Sequence, residues 1–279
     1  MRSIFLKFSV LVLLLSAILA TSVAAQNGKI DNIAEQAALV TEFEVNGLKV
    51  LLKRRASAPT FAAGLFIRGG ARNLTEANAG IERLALNAAT EGGKKFPRQT
   101  LRRELSRTGS SISSGSNQDY SAISVASTRP NFDRIWELFT DVATNPAFNP
   151  QDVERVKQQT VAGLREAETV PEAALQSLQQ RVVYSGHPYA NDVSGTIKTV
   201  SSFTPADLQN YHKGIMQTSR LLLVVVGDID PAVLKTRVTE SFGKLPRGDY
   251  KETPMPALDF SKGTVDIVQR SIPTNYVQG

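Results

Sequence analysis

The chain has two histidines, His187 and His212, and no cysteine, so neutral or thiolate metal ligands are scarce. Neither histidine has a partner at metal-ligand spacing, and each reads as a structural or surface residue. Residues 80–93, "GIERLALNAATEGG", follow a glycine-rich turn and read as a helix on which an enzyme could keep a metal. They hold no histidine or cysteine, and the two carboxylates present, Glu82 and Glu91, read as solvated rather than catalytic. No nucleophile elbow supports a serine–histidine triad. "GLFIRGGARN" (64–73) lacks the lysine and hydroxyl of a phosphate-cradling loop. Lys94, Lys95, Arg98, Arg102, Arg103 and Arg107 form one basic cluster. Without interleaved aromatics it reads as a solvated helix face, not as a nucleic-acid or anion-binding face.

The positioning elements begin after a leader. "MRSIFLKFSVLVLLLSAILATSVAAQ" places Arg2 and Lys7 around the start of an apolar run from Phe8 to Ala20, then the small residues Val23-Ala24-Ala25. This is the pattern of a secretory signal peptide, residues 1–25, cleaved before Gln26. The run is shorter than the ~20 apolar residues of a membrane span. A periplasmic or secreted protein with no stable span after cleavage is expected. No disulfide can hold it, so a packed core must. The net charge of +6 falls to +4 without Arg2 and Lys7 and implies no polyanionic partner; no nucleic-acid partner is expected.

Residues 41–54 alternate around Asn46-Gly47, the favoured two-residue hairpin turn. A third strand runs from residue 60 to Gly69-Gly70. A helix is expected over Glu76–Thr90, with Thr75 as N-cap and Gly92-Gly93 as its stop. Pro97 opens a helix through Arg107, residues 119–128 alternate as a strand, and a helix runs from Pro130 to Ala143. Asn149-Pro150 starts a long helix through Glu168, Pro171 restarts one to Tyr184, and Thr204-Pro205 starts another. "RLLLVVVGD" (220–228) is a continuous apolar run, read as a strand buried on both faces. Asp230-Pro231 caps a helix to Phe242, and residues 264–270 read as a last strand. This order predicts an α+β fold, an antiparallel-rich mixed sheet packed against helices.

Seven stretches together resemble one half of a pitrilysin/insulinase-family zinc metallopeptidase, the group that includes the mitochondrial processing peptidase. They are "FEVNGLKVLLKR", "LFIRGGARN", "GIERLALNAATEGG", "LRRELSRTGSSISSGSNQDYSAISV", "LFTDVATNPAFNPQDVERVKQQTVAGL", "YSGHPYANDVSGTIKTVSSFTPADLQNYH" and "LLLVVVGDIDPAVLKTRVTESFGKLP". They occur in family order between residues 41 and 248. The resemblance implies an N-terminal domain over residues 26–248. Residues 249–279 would be a linker and the start of a truncated second homologous domain.

The resemblance also implies where a zinc site would stand. The family carries H-x-x-E-H on the helix at 76–90, with two histidines on one face and a glutamate as general base. A distal glutamate completes the ligand set. Matched position by position, the first histidine falls on Arg83, the glutamate on Leu86, the second histidine on Asn87 and the distal glutamate on Gly163. All four are lost, so no metal, no cofactor and no catalytic residue is predicted, although zinc is the family's metal. The implied function is a non-catalytic subunit that binds extended peptide or completes the chamber of a catalytic family member, in a hetero-oligomer with it. Two alternatives stand beside it: an active zinc metalloendopeptidase whose site is not visible in this chain, and a structural scaffold subunit.

Overall fold

Asn46 and Gly47 both take positive φ, 49° and 85°. That is the type I′ geometry that joins two strands with matched twist. It links β1 (Val40–Val45) to β2 (Leu48–Arg54). The computed structural model describes residues 33–279 except 259, 262, 270–273 and 279. The expected leader and its cleavage site lie outside the described residues. The chain divides into residues 1–40, whose described part carries the short helix α1 (Ile33–Ala38), and residues 41–279, which hold the remaining elements.

Six strands form one mixed sheet in the order β1-β2-β6-β3-β5-β4. β3 (Thr60–Arg68), β4 (Ser111–Ser116), β5 (Tyr120–Thr128) and β6 (Leu221–Gly227) complete it. β6 runs parallel to β2 and antiparallel to β3; β5 is antiparallel to both β3 and β4. The register stacks Ala63 with Val225 and Val125, and Leu65 with Leu223 and Ile123, on one buried face.

Among the described residues of 41–279, helices cover that face. α3 (Arg98–Thr108), α4 (Phe132–Thr144) and α9 (Pro231–Phe242) lay Leu101, Trp136, Phe139 and Phe242 into a core shared with Leu52, Leu65 and Leu223. Phe132, Trp136, Phe139 and Phe242 meet at ring separations of 5.6–6.2 Å, in tilted or edge-on pairs that add to their area burial. A second core joins α2 (Ile81–Ala89), α5 (Pro150–Thr169), α7 (Ile197–Ser202) and α8 (Pro205–Ile215) through Leu84, Ala85, Val153, Val156, Val200 and Leu208. α6 (Pro171–Val183) contributes no fully buried residue.

Three expectations change, and one strand was not anticipated. The helix expected over Glu76–Thr90 begins only at Ile81: a 3₁₀ turn (Glu76–Asn78) precedes it, and Gly80 at φ 88° breaks the run. Thr75 therefore caps the short turn, its amide donating to Asn78 Oδ1 at 2.6 Å. β4 is a strand that its serines and glycine conceal; pairing with β5, not intrinsic propensity, makes it. β6 is buried on one face only, since Leu222, Val224 and Val226 are half-exposed on the side without helices. Residues 264–269 form no strand, because no neighbour supplies a ladder; Val265 and Ile267 are 88% and 83% exposed, and residue 270 lies outside the described residues.

Candidate functional site

Gly80 sets the start of α2. A Cβ there would stand 2.7 Å from Gly195 Cα, so only glycine lets the helix approach the 192–196 loop. Thr199 Oγ1 donates to Ala79 O at 2.8 Å and fastens the same junction. Of the nine residues of α2, all but Arg83 and Asn87 are buried. Those two stand four apart and share a face.

Of the four positions to which the resemblance gives the motif, three are structurally engaged here. Arg83 is exposed and its Nη1 donates to Ser194 Oγ at 2.5 Å. Asn87 Oδ1 accepts from Ser114 Oγ on β4 at 2.8 Å. Leu86 is fully buried and belongs to the sheet core. Gly163 is exposed on α5, which packs on α2; a Cβ there would meet nothing within 4 Å. These residues do not fit zinc. A guanidinium has no lone pair to donate, leucine cannot accept a proton, the Asn87 oxygen is neutral and already engaged, and glycine has no side chain. Among the described residues, no group of three or more His, Cys, Asp or Glu is placed to hold a metal ion.

The carboxylates of this region are not solvated, which corrects the reading of both. Glu82 is 1% exposed. It accepts from Ser121 Oγ at 2.5 Å, Tyr211 OH at 2.6 Å and Arg220 Nη2 at 3.3 Å. Arg220 is buried as well, gives its Nε to Arg68 O at 2.5 Å, and lies 4.9 Å from the Tyr250 ring centroid. Burial, then the Glu82 charge, raises the Tyr211 hydroxyl well above its ordinary value. Tyr211 thus stays a neutral donor. The network ties α2 to β5, α8 and the residue before β6.

Glu91, just past α2, is buried too. It accepts from Arg155 at 2.6 Å, Arg98 at 2.8 Å and Arg102 at 3.0 Å. Burial pushes its carboxyl up, but the hydrogen bonds from Arg155 and Arg98 outweigh that and hold it below the usual value. The basic cluster does face outward, yet Arg98 and Arg102 neutralise Glu91, and Arg107 pairs with Glu104. Arg103 has no ion-pair partner among the described residues. Arg103→Glu should therefore change stability within ~0.5 kcal/mol. Arg102→Glu sets a second carboxylate beside Glu91 and should cost about 1 kcal/mol. Urea unfolding of the two variants reads the difference.

Both histidines are structural, as expected. His187 is buried, and its Nδ1 accepts from the Tyr189 amide at 3.1 Å. His212 Nε2 lies 3.0 Å from Ala143 O, with the ring edge-on to Phe148. Burial, only partly offset by the Ala143 carbonyl, pushes His212 down from 6.5 to about 4. The unfolded chain therefore binds the extra proton first. Stability is full above the unfolded value and falls by up to about 3 kcal/mol as pH drops through this window. His212→Gln should flatten that fall, as measured by unfolding at several pH values between the two limits. An unchanged slope would contradict the assignment.

Residues 49–197 match the family described as Insulinase (Peptidase family M16), and residues 202–278 match Peptidase M16 inactive domain. The chain belongs to the M16 family. In this M16 chain the two matched segments share one sheet, since β6 of the second lies between β2 and β3 of the first. Cytochrome b-c1 complex subunit 1, mitochondrial, of Bos taurus is 24% identical over 76% of the chain and 44% of its own length. Mitochondrial-processing peptidase subunit beta of Saccharomyces cerevisiae is 20% identical over 83% and 51%. The M16 chain thus spans about half the length of the curated relatives it matches. A solved peptidase M16 inactive domain from Pseudomonas fluorescens aligns with TM-score 0.72 at 21% identity, covering 79% of this chain and 54% of that one. The first half of the periplasmic protease PqqL from Escherichia coli aligns with TM-score 0.68 at 17% identity, covering 77% and 48%. These likenesses show the fold: one M16 half, as the sequence order implied. Among the described residues no helix is long and apolar enough to cross a membrane.

Proposed function

We propose that this chain is a non-catalytic M16 subunit that binds extended peptide and completes the chamber of an active zinc peptidase partner. The observation that carries the reading is the open stripe of α2. At the positions the resemblance gives to histidine stand a guanidinium and an amide. At the position of the general base stands a leucine in the core. Arg83, Leu86, Asn87 and Gly163 are the degenerate motif positions in this reading.

β4 supplies the peptide platform. Among the described residues it pairs with β5 alone, so its other edge offers backbone donors and acceptors for strand addition. Ser114 on that strand touches Asn87, so the edge lies beside the degenerate stripe. Residues 26–248 form the N-terminal domain in this reading, and 249–279 are a linker and the start of a second homologous one. The relatives named as subunits of a b-c1 complex and of a processing peptidase support a hetero-oligomer. The leader pattern and the fold shared with a periplasmic protease support work in the periplasm.

The experiment is co-expression with an exported relative that keeps intact H-x-x-E-H. A stable complex is expected, with peptide cleavage that requires the relative's motif glutamate. Cleavage by this chain alone, supported by added zinc, would overturn the reading. Co-purification with a membrane assembly instead of a soluble peptidase would favour the scaffold alternative.

A further inference from the structure

A metal-binding helix face would present electron-pair donors to a cation. The open stripe of α2 has the opposite chemistry. Arg83 carries five N–H donors and no acceptor, and one of the five is used on Ser194. The Asn87 oxygen is taken by Ser114, which leaves its Nδ2 as the free end of the amide. Residues four apart on a helix place their Cβ atoms about 6 Å apart. The stripe is thus a pair of donors, one charged, at a spacing that a single carboxylate and its neighbouring peptide group can span.

The charge on this stripe is not neutralised from within. Arg98, Arg102, Arg107, Arg134 and Arg155 each sit on a carboxylate. Arg83 has no ion-pair partner among the described residues. Its sequence neighbour Glu82 is buried and engaged by Ser121, Tyr211 and Arg220. Asp192, on the same loop as Ser194, accepts the Ser194 amide at 2.7 Å. An exposed guanidinium is well suited to bidentate capture of a carboxylate.

We propose that Arg83 and Asn87, beside the free edge of β4, form a carboxylate-binding site for an extended peptide. The site takes the place of the family's zinc site: an anion replaces the metal as the group held against the bound strand. This rests on the peptide-binding reading above and names the substrate class. The carboxylate comes either from an acidic side chain or from the peptide's C-terminus. Asn87 then acts as a second donor, and Ser114 fixes which way its amide points.

The test uses short peptides of alternating threonine and valine, each labelled at its N-terminus with an uncharged BODIPY dye. One has a central glutamate and an amidated C-terminus, one a central glutamine and an amidated C-terminus, and one a central glutamine and a free C-terminus. Fluorescence anisotropy should show a carboxylate peptide bound about tenfold tighter than the fully neutral one, a preference that weakens with added salt. Whichever of the two is preferred identifies the source of the carboxylate. Arg83→Gln should abolish the preference, so that all three peptides bind as the neutral one does; loss of the exposed Ser194 hydrogen bond should lower stability by no more than about 1 kcal/mol. Equal binding of all three peptides by the parent would overturn this site while leaving the peptide-binding reading intact. A preference that survives Arg83→Gln would do the same. Binding of none of them would overturn both.

Discussion

Replacing Glu82 by leucine should destabilise the protein by about 3–5 kcal/mol, because it leaves the buried Arg220 guanidinium without its counter-charge. Glu82 is the acceptor on which Ser121, Tyr211 and Arg220 converge. Removing it strands three donors at once. Glu82→Gln keeps an acceptor oxygen and should lose less. The double variant Glu82→Leu with Arg220→Met removes both charges and should recover part of the loss, since neither ion is then buried alone. Urea unfolding of the parent, both single variants and the double variant measures this. A single-variant loss below about 1 kcal/mol, the scale of an exposed pair, would show that Glu82 is solvated after all.

Leu86→Glu should be comparably damaging, again by about 3–5 kcal/mol near neutral pH, because it places an unpaired carboxylate in the sheet core. The sign with pH is fixed by burial. The introduced carboxyl would be forced to keep its proton in the folded state, so its folded pKa lies above its unfolded one. The loss is then smallest near the unfolded carboxylate value and grows as pH rises through the folded value. Unfolding across this range checks it. Parent-like stability at neutral pH would show that the side chain turns out of the core. On the proposed reading, in which Leu86 stands at the general-base position, a general base cannot be restored there by one substitution without loss of stability.

The sequence made several parts of this legible. Asn46-Gly47 announced its hairpin, because few turns need two positive φ angles and these residues tolerate them. Proline at the first helical position marked α5, α6, α8 and α9. The order of motifs pointed to one M16 half, which the family match and the shared fold show. Other parts were hidden for identifiable reasons. β4 exists because β5 pairs with it, and its serines carry no strand signal of their own. Glu82 was misread because its partners stand at 121, 211 and 220, far along the chain; local periodicity cannot see a counter-charge that the fold delivers. Glu91 was misread likewise, since Arg155 reaches it from α5. The helix expected at 76–90 was too long because the glycine at 80 is needed for its approach to Gly195, a contact made only in the folded state.

The most direct test of the central claim is the zinc content and peptidase activity of the purified chain, by elemental analysis after exhaustive washing and by cleavage of a quenched fluorescent peptide. If Arg83, Leu86, Asn87 and Gly163 stand at the ligand and base positions, as proposed, the chain should hold far less than one zinc and show no cleavage above background, with or without added zinc. The triple variant Arg83→His, Asn87→His and Gly163→Glu leaves Leu86 in place. It should take up zinc stoichiometrically and still not cleave peptide. One zinc per parent chain, removed by a chelator together with peptidase activity and returned with it, would contradict the account.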